Sequence, residues 1–171
     1  MGRLKIFTLA LTLASACGGT PPTAQVPVSD SAQAAPRAKG LRVALTSVYV
    51  DDQDKALRCY TEVLGFAKKD DFSNGPYRWL SVTAPAEPNG TELQLALDDN
   101  PAAKAFQQAM FAQHQPAVML YTDDVQGDYE RIKARGGEFT MPPTEVMPGS
   151  TIAQLDDTCG NLLQITQLDR K

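Results

Sequence analysis

Among 171 residues the chain has one histidine, one tryptophan and three cysteines, and each scarcity excludes something. The single histidine, His114, lies in Ala112-Gln113-His114-Gln115-Pro116 between a helical pattern and a strand, so it reads as a solvated loop residue. Of the cysteines, Cys159 has no adjacent base in sequence to make it a nucleophile, and Cys59 occupies an apolar helix face as a small core residue. Their spacing leaves a disulfide between Cys59 and Cys159 open, because it says nothing about distance. Basic residues are outnumbered, 16 to 20, for a net charge of −4, and no basic cluster appears, which argues against a nucleic-acid partner. The longest N-terminal apolar run, Ile6 to Ala14, is too short to span a bilayer. What remains, 43% apolar and 21% charged, is ordinary for one soluble domain with a proper core.

The N-terminal stretch has the features of an export signal. Arg3 and Lys5 precede the apolar run, and Ala14-Ser15-Ala16-Cys17 supplies small residues for cleavage. Leu13-Ala14-Ser15-Ala16-Cys17 resembles a bacterial lipobox, with Leu one position further out than usual. The resemblance implies lipid attachment at Cys17, with ordinary secretion and a cytoplasmic start as the other readings. Gly18 after the cysteine implies an outer-membrane address where the source has one. Residues 18–40, rich in Pro, Ala, Ser and Gly, are expected to be a disordered tether reaching about 26 Å as flexible coil. The expected organisation is therefore signal peptide 1–17, tether 18–40 and a globular domain 41–168.

The domain is organised around a repeat. An alternating apolar run (Val43, Leu45, Val48, Val50) ends at Asp51-Asp52, a helix-period stretch follows (Ala56, Cys59, Tyr60, Val63, Leu64), and Gly65 stops it. Ala117 to Phe139 does the same, with Asp123-Asp124 and Gly136-Gly137. Thirteen positions separate Asp52 from Gly65, and thirteen separate Asp124 from Gly137. Gly90 to Leu95 and Gly160 to Ile165 then open matching strands, and Glu92 and Gln164 each lie forty positions beyond their Asp. Spacing, rather than identity, carries the claim of a tandem duplication.

The patterns predict a strand over 42–50, a helix over 53–64, a short strand near 66–70, and strands over 77–83 and 92–97. A hinge helix over 101–113 has Asn100 as N-cap, Pro101 at its first position and an apolar stripe of Ala105, Phe106, Ala109, Met110 and Phe111. The second half repeats with a strand at 117–122, a helix at 125–135, and strands near 138–141, 151–156 and 162–168. Modules 41–97 and 116–168 are thus each βαβββ.

With the Asp-Asp-Gln-Asp-Lys-Ala-Leu run, Leu64-Gly65-Phe66 and Cys159-Gly160-Asn161-Leu162-Leu163-Gln164-Ile165 in place, residues 41–168 resemble the vicinal oxygen chelate superfamily. That superfamily includes glyoxalase I, extradiol dioxygenases and bleomycin-binding proteins. The resemblance implies an α+β fold, two tandem βαβββ modules forming a curved half-open barrel around a cavity, helices outside. It also implies four metal ligands, from the first and last strand of each module. The matching positions here are Leu45, Glu92, Ala117 and Gln164. An alkyl side chain donates no lone pair, so neither a metal nor any other cofactor is expected.

Period-2 alternation extends the cavity lining to Ser47, Tyr49, Trp79, Gln94, Met119, Tyr121 and Thr166. Such a lining suits a small organic ligand, and it equally suits a packed interior. Glu92, half-buried among apolar neighbours, is the catalytic candidate, its carboxyl expected to resist ionisation, alongside a structural role opposite Gln164 or a tyrosine hydroxyl. Three functions stay open: a metal-free small-molecule-binding module held to a membrane by lipid; a lyase, isomerase or dioxygenase with a non-standard metal site or Glu92 as base; and a protein-interaction module. Whether the modules pair within one chain or across a homodimer is likewise open.

Overall fold

Three acidic or amide side chains switch the chain from strand to helix. Asp52 accepts the amides of Asp54 and Lys55, both at 2.9 Å, and starts α1 (Gln53–Arg58). Asn100 accepts Ala102 N–H at 2.8 Å before α2 (Pro101–Ala112), and Asp124 accepts Gly127 N–H at 2.9 Å before α3 (Val125–Ala134). Each satisfies amides that the first helical turn leaves without a partner. The computed structural model describes residues 40–169. The lipobox, Cys17 and most of the expected tether lie outside the described residues.

Two four-stranded sheets carry these helices on their outer side. The first has the order β1 (Leu45–Val50), β4 (Glu92–Leu97), β3 (Tyr77–Thr83), β2 (Ala67–Asn74). The second has the order β5 (Pro116–Thr122), β8 (Leu162–Leu168), β7 (Ser150–Asp156), β6 (Glu138–Met147). In each the first strand runs parallel to the last and the remaining pairs are antiparallel. This is the α+β arrangement of two βαβββ modules expected from the repeat, with both sheets open rather than closed into a barrel.

The modules share one core within the chain. Val48, Val50, Leu80 and Leu95 of the first join Leu155, Leu163 and Ile165 of the second in one buried cluster, with Tyr60 fully buried among them. Burying a side chain of that size stabilises by about 2–3 kcal/mol. Cys59 is half-buried and Cys159 buried, both as free thiols. Burial, then the Asp157 carboxylate, pushes them up to about 11 and about 12 respectively, so neither is a ready nucleophile.

Several boundaries differ from the sequence expectation for physical reasons. The first strand begins at Leu45, and Leu41 and Val43 before it are exposed. The short strand expected near 66–70 runs over Ala67–Asn74, exposed along its whole length at a sheet edge, where no burial alternation marks it. The strand expected near 138–141 continues through Pro142 and Pro143 to Met147, which an edge position with bulges allows. The apolar stripe of α2 is mostly turned to solvent, and the buried side is Ala103 and Gln107.

The two helix stops are offset by one residue. The glycines in the left-handed region are Gly65 (φ 89°) and Gly136 (φ 90°), not Gly137. Phe66 N–H reaches back to Tyr60 O at 2.8 Å, whereas Gly137 N–H reaches Ile132 O at 3.0 Å, a loop one residue shorter. The extra residue of the first module is absorbed by a π-helical turn over Cys59–Val63 that continues α1.

Candidate functional site

The ladder between β1 and β4 places Leu45 opposite Glu92, Ser47 opposite Gln94 and Tyr49 opposite Ala96. Because alternate side chains share a face, these line one side of the sheet with Tyr77, Trp79 and Ser81 of β3. The phase of Trp79 is set by its neighbours. It stacks on Phe72 of β2 at 6.1 Å with 13° between the rings, and Ser81, two residues on, donates to Glu92 at 3.2 Å.

A groove of about 620 Å³ opens at one end of this face, lined by Ser47, Tyr49, Tyr77, Gln94, Ala96 and Phe106 among others. At its floor Ser47 Oγ donates to Gln94 Oε1 at 2.7 Å, and Gln94 Nε2 donates to Tyr77 Oη at 2.9 Å. Gln94 is nearly buried, and its amide is held at both ends. Three of the expected lining residues, Ser47, Tyr49 and Gln94, meet here. Tyr77 and Ala96 follow the same period-2 rule and were within its reach, two positions beyond Trp79 and Gln94. Phe106 was not, because an apolar helix stripe is ordinarily turned to the core.

The other expected residues lie elsewhere. Leu45, Glu92 and Trp79 are on the same sheet face but outside the groove. In the second module Met119 stands opposite Gln164 and Tyr121 opposite Thr166, with Gln164 donating to Thr166 at 3.1 Å. Ala117 falls at a register shift of β5, and Ala117, Met119 and Tyr121 are all exposed on their own sheet. His114 is exposed past the end of α2, in the left-handed region with φ 54°.

Two expectations about Glu92 are corrected. Its carboxyl was expected to resist ionisation; instead Lys69 Nζ at 2.8 Å holds it below its ordinary range, outweighing the burial that would raise it. Its partners are Lys69 and Ser81, not Gln164 or a tyrosine hydroxyl. The forty-residue spacing also equated Glu92 with Gln164, and the ladders do not. Ser47 pairs with Gln94 five positions before Asp52, as Met119 pairs with Gln164 five before Asp124, so Gln94 and Gln164 correspond and Glu92 corresponds to Leu162. Gly90-Thr91-Glu92-Leu93-Gln94 against Gly160-Asn161-Leu162-Leu163-Gln164 carries the same alignment. Among the described residues no three His, Cys, Asp or Glu side chains gather as a metal cluster.

A polar seam joins the modules beneath the groove. Gln107 Nε2 of α2 donates to Tyr49 O at 2.7 Å and to Cys159 O at 2.8 Å, and Asn161 Nδ2 donates to Tyr49 O at 2.8 Å. Tyr49, whose ring lines the groove, is therefore anchored through its carbonyl to the second module.

Comparison with known proteins agrees with this architecture. A family model described as the Glyoxalase/Bleomycin resistance protein/Dioxygenase superfamily matches residues 42–165. The chain is 46% identical over 127 residues to the uncharacterized protein YurT of Bacillus subtilis (strain 168), covering 74% of this chain and 99% of that one. Among solved structures, UcmS2 is similar with a TM-score of 0.66 at 28% identity, covering 74% of this chain and 98% of that chain. TnmS3, an antibiotic binding protein from Streptomyces sp. CB03234, is similar with a TM-score of 0.61 at 29% identity, covering 77% and 99%. The repeated βαβββ modules and these matches together make the chain a member of the glyoxalase/bleomycin resistance protein/dioxygenase superfamily.

Proposed function

We propose that this domain binds a small organic molecule in the groove of the first module, without a metal ion, as an antibiotic-binding protein does. The observation that carries the reading is the groove itself: Tyr49, Tyr77 and Phe106 present aromatic surface around an amide fixed by Ser47 and Tyr77. Flat apolar walls with one or two oriented polar groups are what a drug-sized ligand requires. The residues at the superfamily's metal positions do not fit a divalent ion. Leu45 and Ala117 offer no oxygen or nitrogen donor, and Gln94 and Gln164 are neutral amides. Antibiotic binding by TnmS3, similar over nearly its whole length, supports the same reading. A lyase or isomerase built on Glu92 has less support, because Lys69 keeps that carboxylate ionised and so weakly basic. Lipid attachment at Cys17 would place the binding domain at the cell envelope, where it would meet a toxic molecule on entry.

The test uses the sole tryptophan, Trp79, on the same sheet face as the groove. Titration with bleomycin and with daunorubicin is expected to change its fluorescence saturably for at least one of them. Metal content after incubation with Zn²⁺, Mn²⁺, Ni²⁺ and Fe²⁺ is expected to stay near zero. One tightly held ion per chain with no saturable ligand response would sink the proposal.

A further inference from the structure

The two hydrogen bonds at the groove floor run in one direction. Ser47 donates to the carbonyl end of Gln94, and the amino end of Gln94 donates to the Tyr77 oxygen. A phenol hydroxyl that accepts one hydrogen bond still has its O–H to donate, and among the described residues nothing accepts it from Tyr77. Consecutive bonds of this kind polarise one another, so the last hydroxyl is a stronger donor than an isolated phenol. Tyr77 is half exposed and borders the groove, whereas Gln94 is nearly buried and cannot turn without breaking a bond at each end.

We propose that Ser47, Gln94 and Tyr77 form a directional relay that presents the Tyr77 hydroxyl to the groove as a donor, selecting flat ligands that carry a carbonyl-type acceptor at their rim. This rests on the groove being the ligand site, as argued above. Tyr49 and Phe106 supply surface for the flat part of such a ligand, and that surface alone does not distinguish one aromatic molecule from another. The relay does. A ligand lacking the acceptor would displace water from Tyr77 and leave its proton unpaired, the kind of loss by which polar sites reject apolar analogues.

The experiment compares two probes that differ only at C9, a carbonyl against a methylene: 9-fluorenone and fluorene, each made soluble by a 2-trimethylammonium group that neither donates nor accepts a hydrogen bond, by calorimetric titration of the whole purified protein. The fluorenone is expected to bind about tenfold more tightly, the worth of one net hydrogen bond. In Tyr77→Phe, which keeps the ring, that preference is expected to fall to near unity, the fluorenone losing its hydrogen bond and the fluorene no longer leaving a phenol proton unpaired. Gln94→Leu, which removes the donor that aligns Tyr77, is expected to reduce the preference to a few-fold. Equal preference in wild type and Tyr77→Phe would overturn the relay and leave the site standing. So would a preference lost in Ser47→Ala but kept in Tyr77→Phe, since the relay would then run the other way. Failure of both probes to bind wild type would overturn the relay together with the assignment of the groove.

Discussion

Tyr60 of the first module's helix donates its buried hydroxyl to Asp157 of the second module, 3.3 Å away, and the same carboxylate accepts Cys159 N–H at 2.8 Å and Asn161 N–H at 2.9 Å. Asn161 Nδ2 completes the set at 2.7 Å. Four donors thus converge on one fully buried carboxylate at the junction of the modules.

Replacing Asp157 by Asn puts an amino group where a donor already points, and Tyr60→Phe deletes a donor. Each is expected to lower stability by about 1–3 kcal/mol, the cost of an unsatisfied buried polar group. Urea denaturation would show it, and two midpoints indistinguishable from wild type would refute the convergence.

Asp71 and Asp157 are expected to respond to acid in opposite ways. Asp71, bonded by Arg78 at 2.8 and 3.0 Å, is drawn down to about 2, so its stabilisation is present above the ordinary carboxylate range and is lost as pH falls toward 2. Burial raises Asp157 above its ordinary value despite its four donors, so its contribution is fullest in acid and declines as pH rises from about 4 through its folded value. Carboxyl NMR titration would resolve both. Arg78→Gln is expected to bring Asp71 back toward the ordinary range and leave Asp157 where it was.

Gly160 and Gln107 are expected to act as one unit. A Cβ at Gly160 would stand 2.8 Å from Gln107 Nε2, and its φ of 95° already disfavours any other residue. Gly160→Ala should therefore cost about 2 kcal/mol from backbone strain and loss of the Gln107 bonds. In a double-mutant cycle with Gln107→Ala the two costs should sum to more than that of the double variant. Strict additivity would mean that Gln107 is not displaced.

Removing the cation beside Glu92 leaves burial as the main influence on it. In Lys69→Met the Glu92 carboxyl is expected to titrate higher than in wild type, read by the same NMR experiment. An unmoved titration would mean that Lys69 is not its partner in solution.

Local chemistry made much of the fold legible. Asp52, Asn100 and Asp124 cap helices because short polar side chains before an apolar-periodic stretch satisfy free amides. Alternation placed Ser47, Tyr49 and Gln94 on one face because strand geometry leaves little choice. What stayed hidden depends on counting across irregularities. The π turn adds one residue after Asp52 and the segments between it and β4 hold one more, so Gln94 lies 42 positions beyond Asp52 while Gln164 lies 40 beyond Asp124, and equal spacings linked Glu92 to the wrong partner. Lys69 was invisible as a partner of Glu92 because it sits in the bulge between Lys68 and Asp71 of an exposed strand that has no periodic signature.

That strand has a second consequence. An exposed outermost strand offers its free amides and carbonyls to any other chain, the usual seed of fibrous self-association. Here the seed is spoiled by Lys68, Lys69, Asp70 and Asp71 in succession and by the bulge among them. The lysine that holds Glu92 ionised thus also keeps neighbouring copies of the domain from stacking edge to edge.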